Sequence, residues 1–67
     1  MLQEFKARRA ASRLVEEFPE ITEATARDRA RRVIRRYPSL TAAHVADSLI
    51  RGERIARMYE RLTGRQA

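Results

Sequence analysis

Sixty-seven residues make one small domain (1–67) with a thin core, and 36% of them are charged, for a net charge of +6. There is no Cys and a single His, His44, which excludes a disulfide framework, a thiolate metal site and a His-rich metal site. A chain this short without staples must be well idealised or must cover apolar surface with a second subunit, so size alone makes oligomerisation an expectation.

The first twenty residues carry charges at Glu4, Lys6, Arg8, Arg9, Arg13, Glu16, Glu17 and Glu20, which leaves no apolar run for a signal peptide. No stretch approaches a membrane-spanning length, so the expected location is the cytoplasm. Within this segment Ala7, Ala10, Ala11, Leu14, Val15 and Phe18 fall on one side of a helix expected over about 3–17. Leu2 and Phe5 lie off that side, which leaves them either to fray or to face a partner.

The spacing predicts a second helix over about 22–36, with Ala26, Ala30, Val33, Ile34 and Tyr37 as a narrow apolar stripe. Most of its remaining surface is Arg. The third helix is expected over about 41–63, stopped by Gly64, with a seam of Val45, Leu49, Gly52, Ala56 and Tyr59 widened by Ile55 and Leu62. Gly52 costs about 1 kcal/mol relative to Ala inside a helix, so its place in the seam reads as a close-contact site. A break at Gly52, giving two short helices, is the competing reading; the pattern favours continuity.

Two phrases punctuate these helices. "FPEIT" (18–22) and "YPSLT" (37–41) repeat one pattern nineteen residues apart. Pro disfavours helix in the residue before it, so each phrase closes a helix. Thr22 and Thr41 then stand as N-caps, preceded by Ile21 and Leu40, which are placed to staple onto Ala26 and Val45. The expected architecture is all-α: a small bundle of three helices on two short connectors.

Catalytic chemistry finds little support. Ser48 and His44 stand four apart with Asp47 adjacent, but a straight exposed helix supplies neither pocket nor oxyanion site. Glu16 and Glu17 are sequence neighbours and diverge, and no Gly-rich loop is present to cradle a phosphate. The expectation is that the chain is not an enzyme and uses no cofactor, metal or small-molecule substrate.

The basic residues carry more information. Fourteen of the fifteen are Arg; phosphate recognition would use them, but a GC-rich genome, which also favours Ala, is the preferred account of the composition. Glu4/Arg8, Glu23/Arg27, Asp28/Arg32, Asp47/Arg51 and Glu53/Arg57 have the four-residue spacing of intrahelical pairs. That leaves Arg29, Arg31, Arg35 and Arg36 unpaired on the second helix, with Arg54, Arg61 and Arg65 near the end. Residues 27–36 sum to +5 and residues 51–67 to +3. Such a surface suits a phosphate backbone. A helix-turn-helix around Gly52 fits poorly, because the segment after it holds no Asn or Ser, and Gln only at its very end, to read base edges.

The stretch "RLVEEFPEITEATARDRARRVI", with "HVADSLIRGERIARMYERL" after it, resembles a family of small actinobacterial three-helix bundle dimerisation domains. Leu14, Phe18, Pro19, Asp47, Glu53, Arg54, Ala56 and Arg57 carry the resemblance. It implies self-association. Phe18-Pro19 and Leu49-Ile50 are also similar to landmarks of ubiquitin-binding CUE domains, which implies a shared way of packing three helices and not ubiquitin binding.

Two functional expectations result. The first is a non-catalytic helical module that associates with itself or with another protein through Leu2, Phe5, Ile50, Met58 and Tyr59. The second is a basic nucleic-acid-binding regulator using Arg29, Arg31, Arg35 and Arg36, with Arg54 and Arg61.

Overall fold

The computed structural model describes residues 2–64. Three helices make up the fold: α1 (Leu2–Glu17), α2 (Glu23–Arg36) and α3 (Ala42–Gly64). None of the described residues lies in a strand, and no helix is long and apolar enough to cross a membrane.

The repeated phrase is repeated in geometry. Phe18 N–H donates to Leu14 O and Tyr37 N–H to Val33 O, both at 2.8 Å, closing the last turns of α1 and α2. Pro then turns the chain, with Ile21 N–H donating to Phe18 O at 3.0 Å and Leu40 N–H to Tyr37 O at 3.1 Å. The Thr22 hydroxyl accepts from Thr25 N–H at 3.1 Å, and the Thr41 hydroxyl from His44 N–H at 3.2 Å. Both Thr residues therefore act as the expected N-caps, and each satisfies an amide that the new helix leaves without an internal partner. Ile21 is buried, and Leu40 packs against the core.

α1 is the middle layer and packs on both other helices, which touch each other least. The core holds Ala7, Ala10, Ala11 and Leu14 of α1, Ile21 of the first connector, Ala26, Ala30 and Ile34 of α2, and Val45, Ala46, Leu49 and Ile50 of α3. Half of these are Ala, so the helices are held by close approach more than by side-chain bulk. Lys6 adds a polar tie: its Nζ donates to Pro38 O and Leu40 O, both at 2.9 Å, binding the second connector to α1.

Four expectations are corrected. Ile50, assigned to an interface, is 7% exposed and belongs to the core. Its angular position on α3 lies beside Ala46 and Leu49 and so faces α1. Tyr37, placed in the α2 stripe, is exposed, because the Pro turn swings it outward, where Arg36 stacks over its ring at 5.9 Å. Gly64 is the last described residue of α3 and, having no positive φ, is not a left-handed cap. Gly52 is not a close-contact site: α3 runs through it unbroken, and an added Cβ would meet nothing within 4 Å.

The seam expected along α3 also stops there. Val45 and Leu49 are buried, whereas Ile55, Tyr59 and Leu62 are exposed and Ala56 lies open. α1 has ended at Glu17 by that level, so no second helix remains to cover the continuation of the seam.

Candidate protein-interaction face

At a hundred degrees per residue, the inward direction set by Val45, Ala46, Leu49 and Ile50 continues past Gly52 onto Glu53 and Arg57. These are charged, and they tie α3 to the body. Arg29 Nη1 donates to Glu53 Oε1 at 2.7 Å, and Arg57 Nε donates to Glu53 Oε2, also at 2.7 Å. Arg57 further pairs with Glu20 of the first connector and lies 4.4 Å over the Phe18 ring. One step outward, Arg54 Nη2 donates to Glu17 Oε2 at 2.8 Å.

Glu53 is the hub of this cluster, its side chain only 14% exposed. Hydrogen bonds from Arg57 and then Arg29 hold its carboxyl below the ordinary carboxylate value. Arg57 is raised in turn, chiefly by its bond to Glu53. The Glu20 carboxyl is lowered first by its own backbone N–H and then by Arg57.

The apolar side chains of this half of α3 point the other way. Ile55, Met58, Tyr59 and Leu62 follow the i, i+3, i+4, i+7 spacing of one helical face, roughly half a turn from the core direction. Ile55 is 56% exposed and Tyr59 69%. Past Arg57, the last tie to the body, seven residues run on for about 10 Å of helix. The amphipathic phase of α3 thus reverses near Gly52: its first half is apolar toward the bundle, its second half apolar toward solvent. The chain matches no family model, no curated protein and no solved structure.

Of the residues expected at a protein interface, Met58 and Tyr59 lie on this stripe. Leu2 and Phe5 are exposed at the opposite end of the bundle, where Phe5 neighbours Thr41 and Ala42 and carries Arg9 over its ring at 5.7 Å. The two groups do not form one patch. Ile55 and Leu62 belong to the face and were assigned to the internal seam. Their spacing from Met58 and Tyr59 was visible in the sequence, and following the seam straight through Gly52 concealed it.

The nucleic-acid candidates divide as well. Arg29 pairs with Glu53, Arg31 with Glu4 at 2.8 Å and Arg54 with Glu17, so three side chains expected to be unpaired are engaged between helices. Among the described residues, Arg35, Arg36 and Arg61 have no carboxylate within ion-pair distance. Arg65 lies outside the described residues. Two expected intrahelical pairs are replaced by longer-range ones: Glu4 takes Arg31 in place of Arg8, and Asp47 takes Arg13, at 3.7 Å, in place of Arg51.

His44, Asp47 and Ser48 form no relay. His44 Nδ1 lies 3.1 Å from the Thr41 hydroxyl, and Asp47 turns to Arg13. Among the described residues no cluster of His, Asp and Glu gathers to hold a metal ion.

Proposed function

We propose that this chain is a non-catalytic helical interaction module that docks a protein partner, or a second copy of itself, on the outward stripe of α3. The observation that carries the reading is the phase reversal at Gly52. Four large apolar side chains stand in helical register on one face of α3, all of them exposed. Burying such surface releases about 25 cal/mol per Å², a large return for a domain whose own core is half Ala. The resemblance to dimerisation domains supports association of this general kind.

A photo-crosslinking side chain placed at Leu62 or Ile55 in cells should give a covalent adduct, while the same group at exposed Ser12 of α1 should give none. If no stripe position forms an adduct, the docking reading is wrong. Sedimentation at micromolar concentration separates the two occupants, because a clean monomer removes the second copy.

A second reading, binding to a nucleic-acid backbone, draws on the +5 charge of residues 27–36 and on Arg35 and Arg36, which lack carboxylate partners among the described residues. It keeps only half of its six candidate contacts, since Arg29, Arg31 and Arg54 are already engaged. It requires retardation of DNA or RNA at low salt that fades as salt is added.

A further inference from the structure

We propose that the occupant of the α3 stripe is an acidic amphipathic helix of another protein, and not a second copy of this chain. The inference rests on the docking reading and deepens it. What decides it is the character of the two margins of the stripe.

On one margin Arg54 and Arg61 stand seven apart, each one residue before Ile55 or Leu62. Arg51 lies on the line of the stripe itself, one turn before Ile55. Arg51 and Arg61 have no carboxylate within ion-pair distance among the described residues, and Arg54 shares its charge with Glu17. The opposite margin is small: Gly52, Ala56 and Thr63. In paired helices the residues flanking the apolar seam set partner choice and orientation.

A second copy fits these margins badly in either direction. Antiparallel pairing sets the Arg54–Arg61 margin of one copy beside the same margin of the other. Parallel pairing brings Arg51 against Arg51 on the seam. Both arrangements place like charges together as water is excluded, and the net charge of +6 on each copy opposes the encounter. An acidic helix removes the conflict, because carboxylates along one edge meet Arg51, Arg54 and Arg61. The small margin lets its backbone come close on the other edge. A lipid surface would make no use of that small margin.

The test uses the full chain and two synthetic peptides of about twenty residues, long enough to form a helix on binding. Both carry Leu and Ile at the stripe spacing; one has Glu at the flanking positions and the other Lys. The Glu peptide should bind and gain helicity by circular dichroism, and the Lys peptide should bind about tenfold more weakly or worse. Replacing Met58 and Tyr59 with Ser should abolish binding. Arg61→Glu should weaken the Glu peptide and strengthen the Lys peptide, a reversal that loss of folding cannot mimic. Equal binding of both peptides, or of neither, overturns the proposal. So does a dimer at micromolar concentration that Met58→Ser with Tyr59→Ser dissolves, which would leave the docking reading intact. Vesicles of anionic lipid that bind the chain while the Glu peptide does not would overturn it in favour of a membrane surface.

Discussion

Arg29 of α2 and Glu53 of α3 meet at 2.7 Å, bridging the two helices of the bundle that touch each other least. With so little contact between them, this bond and the pairing of Arg57 with Glu20 of the first connector help to set the position of the second half of α3. Glu53 is mostly buried and Arg29 is 41% exposed, which puts the pair between a free surface ion pair and a buried one. Glu53→Gln should cost about 1–2 kcal/mol in urea denaturation. A double-mutant cycle with Arg29→Gln should return a coupling of about 0.5–1 kcal/mol. Coupling indistinguishable from zero would show that the contact does not hold the helices together.

Gly52→Ala should stabilise the protein by about 0.5–1 kcal/mol, since Gly is costly inside a helix and the new methyl meets open space. The check is a thermal melt. A lower melting temperature would mean that something is packed there.

Thr22→Ala and Thr41→Ala should each cost about 1 kcal/mol, because each hydroxyl satisfies one amide in the same way. The two losses should agree closely if the connectors are energetically as well as geometrically alike. Chemical denaturation of both variants measures this.

Met58→Ser combined with Tyr59→Ser should leave folding stability within about 0.5 kcal/mol, as expected of exposed positions. Leu14→Ala, at a fully buried site, should cost about 2–5 kcal/mol by the same assay. A large loss in the double variant would place those side chains in the core.

Acid should loosen the cluster around Glu53. The carboxyls of Glu53, Glu4 and Glu20 lie below their ordinary value of 4.5 in the folded chain. Their stabilising contribution is therefore complete above about pH 4.5 and is lost as pH falls through the lowered folded values. Melting temperatures measured from pH 7 downward should fall in that window, and Glu53→Gln should flatten the curve. An unchanged slope in the variant would remove Glu53 from the account.

What could be read from the sequence was what acts over a few residues. Pro19, Pro38, Thr22 and Thr41 fix the connectors through bonds spanning five positions or fewer, and the faces of α1 and α2 follow from periodicity alone. The second half of α3 was not legible in this way. Whether Ile55 faces inward or outward depends on where α1 stops, and Glu17 marks that level only once the helices are docked. The choice between Arg8 and Arg31 for Glu4, or between Arg51 and Arg13 for Asp47, is likewise tertiary: the local partner was available, and packing offered another.

Lys6 is the one lysine among fifteen basic side chains, and its nitrogen clasps two carbonyls of the second connector. Acylating reagents that target amines, including those used to biotinylate or immobilise proteins, have no other lysine to modify. Wherever such a coupling falls on Lys6 and not on the α-amino group, it would cap the very donor that fastens the α2–α3 loop to α1, and that labelled molecule would report with the fastening undone.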